Sequence, residues 1–127
     1  YDLLGACVFG FVARSLTPLD KLLELVEAVT GWKTSWWELL KAGERYLAMA
    51  KEYNARQGLT INDDYLPEKF FAPLKGGPVD GKPGLDREKF KEAVRLFYEM
   101  AGWDGDTGRP LAAKLYELDL DWLVEKG

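Results

Sequence analysis

The chain has 127 residues, 47% hydrophobic and 30% charged, which is enough to bury a core and too apolar to stay unfolded. Its formal net charge of −4 lacks the basic footprint that a phosphate backbone calls for, so nucleic acid is not an expected partner. Histidine is absent and cysteine occurs once, which removes the commonest general base, the usual zinc ligand and any internal disulfide, and suits a reducing, cytoplasmic compartment.

The opening run Tyr1-Asp2-Leu3-Leu4-Gly5-Ala6-Cys7-Val8-Phe9 pairs an acid with the lone thiol across a glycine. Tyr1 stands where an initiator methionine would, so a fragment or a processed product is expected, and the apolar opening suggests a start inside a structured region. Cys7 is open to two readings at this point. A free cysteine is often a small buried hydrophobe, but a thiolate is also a soft ligand for iron–sulfur clusters and zinc. Asp2 could accept hydrogen bonds from the N–H groups of a heterocycle.

Helical signals follow in order. Thr17-Pro18-Leu19-Asp20 predicts a helix start, with Thr17 as N-cap and proline in the first turn, and Gly31 predicts its stop. Leu19, Leu22, Leu23, Val26 and Val29 form its apolar stripe. Ser35 and Glu38 predict a capping box for a second helix running to about Arg56 or Gln57, with Gly58 as the stop. On it Leu39, Leu40, Leu47, Ala50 and Tyr53 are expected to face a core, with Lys41, Glu44, Lys51 and Glu52 outside. Gly43 in mid-helix suggests close approach of another backbone or simple tolerance.

Leu66 to Phe71 predicts a single helical turn with its aromatics tucked inward, and Lys75 to Gly84 a Gly/Pro-rich surface loop. That loop lacks the Gly-Lys-Ser/Thr ending of a phosphate-binding loop. Asp86 should cap a third helix ending near Ala101, stopped by Gly102, with Phe90, Ala93, Val94, Phe97 and Tyr98 inward. Pro110 should start a short helix with Leu111, Leu115 and Leu118 inward, and Leu120, Trp122 and Leu123 close the chain. No apolar run is long enough to span a bilayer, so no membrane is expected. The fold class is therefore all-α: residues 1–127 form one compact helical domain of three main helices plus short turns.

Chemistry is sparse along this chain. Asp104, Asp106 and Gly108 begin a calcium-loop pattern without its closing glutamate, which leaves a turn or cap as the better reading. Arg56 at a helix end could hold a carboxylate or phosphate, or cap the last carbonyls. The Trp36-Trp37 and Phe70-Phe71 pairs read first as packing, and an aromatic groove would suit a free-standing, non-catalytic interaction module.

Three blocks give the chain a family likeness. Asp2-Leu3-Leu4-Gly5-Ala6-Cys7 resembles the Asp-x-x-Gly-Leu-Cys motif of the tungsten-containing aldehyde ferredoxin oxidoreductases. Tyr53 to Leu59 with Asp63-Asp64-Tyr65-Leu66-Pro67-Glu68-Lys69-Phe70 resembles a second block of that family. Tyr98-Glu99-Met100-Ala101-Gly102-Trp103-Asp104, Gly108-Arg109-Pro110 and Leu115 to Leu120 resemble its closing stretch. The likeness runs essentially end to end.

The resemblance implies that Cys7 is one thiolate ligand of a 4Fe-4S cluster. It implies that Asp2 binds one of two molybdopterins chelating tungsten, with Gly5 and the backbone of Ala6 allowing close approach to the pterin. Ala6 stands where the motif has leucine. The implied reaction is oxidation of a small aldehyde to a carboxylic acid, with electrons leaving through the cluster to ferredoxin. The family's other cluster cysteines are absent here, so the chain would be a C-terminal piece that docks on upstream domains of the same enzyme. By itself it would be inactive and bind neither cofactor.

Overall fold

A computed structural model describes residues 1, 4, 7–11 and 18–124 of the chain, without side-chain description at 10, 11 and 19. Its elements are α1 (Val8–Phe11), α2 (Leu19–Thr30), α3 (Trp36–Arg56), α4 (Arg87–Ala101) and α5 (Ala112–Glu117), joined by 3₁₀ turns at Ile61–Asp63, Glu68–Phe70, Gly77–Val79 and Asp121–Leu123. Among the described residues there is no strand beyond one isolated bridge between Trp103 and Pro110, so the all-α reading holds. The chain divides into two compact units, Tyr1–Ala50 and Lys51–Gly127.

In the first unit, α2 begins one residue later than the proline rule suggests. Pro18 is extended (φ −55°, ψ 143°) and takes the N-cap position itself, with no side-chain cap; the expected cap, Thr17, lies outside the described residues. Gly31 stops α2 in the left-handed conformation at φ 72°, its N–H donating to the Glu27 carbonyl. Leu22 and Val26, one turn apart, are buried, whereas Val29 is 82% exposed because the last turn of α2 is left uncovered.

The capping box of α3 forms as its sequence requires. The Ser35 N–H donates to Glu38 Oε2 at 2.8 Å and the Glu38 N–H to Ser35 Oγ at 3.3 Å. Leu39 and Ala48 are buried, but Leu40, Leu47 and Tyr53 are exposed. Among the described residues, nothing beyond the helix's own nearby backbone and the adjoining residues lies within 4 Å of where a Gly43 Cβ would sit, so no distant backbone among them approaches that glycine.

The second unit is built around α4. Asp86 caps its first turn by accepting from the Lys89 N–H at 3.0 Å, and Gly102 ends it at φ 76°. Tyr98 is buried on its inner face, with Phe90 and Val94 half-buried, whereas Ala93 and Phe97 turn outward. The wide apolar stripe therefore wraps past the face this unit covers.

The turn at Glu68–Phe70 tucks in Phe71, which stacks on Tyr65 at 5.0 Å between centroids and meets Phe90 edge-on at 5.6 Å; Phe70 stays exposed. Arg87 locks this cluster to the start of α4 through a two-pronged contact with Glu68 and by lying 4.5 Å over the Phe71 ring. The following loop is exposed, as its composition predicts, and closed by backbone bonds from Leu74 N to Lys82 O (2.8 Å) and Gly81 N to Leu74 O (2.9 Å).

Leu115, Leu118, Leu120 and Leu123 are buried at the end of the chain, but Leu111 and Trp122 are exposed. Leu111 is the N-cap of α5 rather than part of its inner face, because the helix begins only at Ala112. No helix among the described residues is long and apolar enough to cross a membrane.

Candidate functional site

Cys7 stands immediately before the single turn α1, and its side chain is exposed. Leu4, Val8 and Phe9 around it are exposed as well. The buried-hydrophobe reading of Cys7 therefore does not describe it. The other residues assigned to a cofactor, Asp2, Gly5 and Ala6, lie outside the described residues, as do Leu3 and Val12 of the same segment. Among the described residues no three His, Cys, Asp or Glu side chains converge as a metal site. A single accessible thiol could fill one ligand position of an iron–sulfur cluster and no more.

Among the described residues, the most enclosed charged side chain lies in the second unit and runs against expectation. Glu52, expected at the surface, is 1% exposed. It sits one turn from Arg56, whose Nε donates to Glu52 Oε1 at 3.0 Å, while Arg109 donates to the same carboxylate from Nη2 (2.6 Å) and Nε (3.2 Å). Burial alone would raise the Glu52 carboxyl; the hydrogen bonds and charges of Arg109 and Arg56 outweigh it and hold the group below the ordinary carboxylate range. Arg56 also donates from Nη2 to the Leu123 carbonyl at 2.9 Å. Arg56 therefore bonds a carboxylate of the protein itself, and the carbonyl it reaches belongs to the closing turn rather than to the end of α3.

Arg109 reaches Glu52 because of the turn before it. Asp104 Oδ1 accepts from the Asp106 N–H (3.2 Å), the Thr107 N–H (2.7 Å) and Thr107 Oγ1 (2.7 Å), which makes the acidic run a capped turn. Gly108 follows at φ 70°, where a Cβ would come within 3.1 Å of the Tyr98 ring. The bridge between Trp103 and Pro110 then sets the direction of the chain at Arg109.

A second polar group lies beside it. Asp64 accepts from both Lys51 Nζ and the Tyr98 hydroxyl, and Lys51 Nζ also lies 5.0 Å from the centre of the Tyr98 ring. Burial would raise the Asp64 carboxyl, but the Lys51 and Tyr98 hydrogen bonds and the Lys51 charge carry it below its ordinary range. For Tyr98, burial first and then the bond to Asp64 push the phenol well above its ordinary range, so the hydroxyl stays a donor. Spacing alone could not reveal this trio, because 34 and 47 positions of chain separate Tyr98 from its partners.

Asp64 borders two hollows. One is an open cleft of about 600 Å³ that includes Tyr65, Phe90, Lys91, Arg95 and Asp106. The other is a shallow groove of about 400 Å³ walled by Ala93, Val94, Phe97 and Trp103 over Lys51 and Tyr98. Neither group contains a nucleophile set against a base, so this geometry can clamp and pack but offers no catalytic dyad of its own.

Comparison with known proteins agrees with the blocks read from the sequence. Residues 1–120 match the family model described as aldehyde ferredoxin oxidoreductase, domains 2 & 3. The tungsten-containing aldehyde ferredoxin oxidoreductase of Pyrococcus horikoshii is 31% identical over 122 residues, covering 94% of this chain and 19% of that protein. The enzyme of the same description from Pyrococcus furiosus is 31% identical over 121 residues, with the same shares covered. An aliphatic sulfonate oxidoreductase, WOR-like subunit, of Pyrococcus furiosus is 29% identical over 126 residues, again 94% of this chain and 19% of that protein. The chain spans about a fifth of the length of the curated relatives it matches. By the extent of the family match, the chain belongs to the aldehyde ferredoxin oxidoreductase family, in the region of its domains 2 and 3.

Proposed function

We propose that this chain is the C-terminal part of a tungsten-dependent aldehyde:ferredoxin oxidoreductase and supplies one side of its cofactor pocket. The observation that carries the reading is the family match over residues 1–120, which takes in the Asp2–Cys7 segment whole. An accessible thiol at Cys7 supports it, because a cluster ligand in this chain has to face sulfur and iron held mainly by other parts of the enzyme. Bound there, the tungsten-pterin centre would supply two-electron oxidation of an aldehyde to a carboxylic acid, and the 4Fe-4S cluster would supply one-electron transfer to ferredoxin.

The work of this chain's residues is binding and orientation. Cys7 gives a thiolate, and its surroundings tune the potential of whatever it ligates. Asp2 accepts hydrogen bonds from pterin N–H groups, and Gly5, having no Cβ, lets the backbone at Ala6 come close to the ring. The relatives' names span aldehyde and aliphatic sulfonate oxidoreductases, so we assign the choice of substrate to parts of the enzyme outside this chain. A cytoplasmic setting suits a free, cluster-ligating thiol.

The test is Cys7→Ala in the complete enzyme, read by iron content and by the electron paramagnetic resonance of the reduced cluster. Loss of that spectrum with a matching fall in iron is the expected result. Unchanged iron and an unchanged spectrum would overturn the assignment of Cys7.

A further inference from the structure

The second unit exposes an apolar surface on α4. On α4, Leu96, Phe97 and Met100 are exposed, Met100 at 80%. Beside them Ala93, Val94, Phe97 and Trp103 wall the groove of about 400 Å³. An aromatic- and methionine-bearing surface with few charges has the composition of an interface centre, and soluble chains seldom leave such patches bare.

Two observations narrow the occupant. The first is charge: the groove's charged lining residues, Lys51 and Asp64, are paired with each other, and Tyr98 donates to the same carboxylate. The floor therefore asks for no counter-charge, and apolar side chains suit it best. The second is length: this chain accounts for 19% of its relatives, and its matched region is described as domains 2 & 3 only. About four fifths of such an enzyme lies outside these residues.

We propose that the α4 face of Leu96, Phe97 and Met100, together with the Phe97–Trp103 groove, seats apolar side chains from the remainder of the same polypeptide. The proposal rests on the reading of this chain as part of a larger oxidoreductase and names the surface through which the parts join. It makes Met100 a buried core residue of the complete enzyme, although it is solvent-facing in this chain.

The experiment uses the complete enzyme. Peroxide oxidation of Met100 is followed by peptide mass spectrometry in the native and the denatured protein. A covered Met100 should oxidise at least about tenfold more slowly in the native state; a native rate any closer to the denatured one overturns the proposal. Photo-methionine incorporated at position 100 then identifies what lies there, using mixed heavy- and light-isotope copies to separate links within one polypeptide from links between two. A link to a peptide outside residues 1–127 of the same polypeptide is the expected product. Links to a second copy, to another protein, within residues 1–127 or to water alone overturn the proposal.

The two readings fail separately. Iron lost on Cys7→Ala with Met100 unprotected would remove this inference and leave the cofactor assignment standing. Iron retained on Cys7→Ala with Met100 protected would do the reverse.

Discussion

Arg109 grips Glu52 with two hydrogen bonds, Nη2 to Oε1 at 2.6 Å and Nε to Oε2 at 3.2 Å, across 57 positions of chain. A carboxylate taken out of water is costly unless charged donors replace the solvent, and here two guanidiniums do so. The clamp joins the last turns of α3 to the segment after Gly108, and through Arg56 to the closing turn at Leu123. Its role is to hold the second unit together.

Removing the carboxylate should therefore cost more than removing either arginine. Glu52→Ala leaves two cations facing each other and should destabilise by about 3 kcal/mol, the low end for a broken buried pair because both guanidiniums keep some access to water. Arg109→Met leaves Arg56 in place and should cost about 1.5 kcal/mol, the scale of a hydrogen bond to a charged group. Urea unfolding of the two variants checks the order; equal losses would mean that leaving two unpaired cations adds no cost.

Acid should undo the same clamp. The Glu52 carboxyl lies below its ordinary value of 4.5 in the folded state, because the arginine contacts outweigh burial. A depressed carboxyl contributes stability that is fully present above the unfolded value and is lost as pH falls through the folded one. The stability gap between the native chain and Glu52→Gln should then be constant near neutrality and narrow below about pH 4.5, as read by unfolding curves at stepped pH.

Tyr98→Phe separates the hydroxyl from the ring. The ring contact with Lys51 survives, but the bond to Asp64 is lost, for an expected cost of about 1.5 kcal/mol. Because burial and Asp64 hold the phenol far above its ordinary range, the variant should show the same phenolate absorbance as the native chain up to the onset of alkaline unfolding. A drop in that absorbance would mean that Tyr98 ionises while folded.

Two glycines should respond in opposite directions to alanine. At Gly84 an added Cβ would lie 2.5 Å from the Ala72 carbonyl oxygen and 2.6 Å from the Phe71 carbonyl carbon, and neither backbone atom can yield cheaply. Gly84→Ala should cost about 2 kcal/mol, in the range of overpacking. Gly43 lies in mid-helix with open space around it, so Gly43→Ala should stabilise this chain by about 1 kcal/mol through helix propensity. Thermal unfolding of both variants is the measurement.

Local signals were legible to within a residue or two. The capping box of Ser35 and Glu38, the Asp86 cap and the stops at Gly31 and Gly102 all form where the sequence indicates. These features are decided by neighbours in sequence, through hydrogen bonds that close within one turn. Burial was read less well, and for one reason. Periodicity says which residues share a face but not how much of that face is covered, so Val29, Leu40, Leu47 and Phe97, expected inward, stand exposed. Glu52 erred the other way. Its place one turn from buried Ala48 and one turn before Arg56 was the available clue, since three residues at that spacing share a helix face.

By itself the sequence determined the helical class, the ends of the long helices and the family, because capping, glycine stops and ordered motif blocks are properties of short stretches of chain. The tertiary structure alone decided that Glu52 is buried, that Asp64 unites Lys51 with Tyr98, and that Arg109, beyond the turn expected at Asp104, grips Glu52. Those outcomes depend on side chains brought together from distant positions. A charged group's place inside or outside follows from the partners that meet it there.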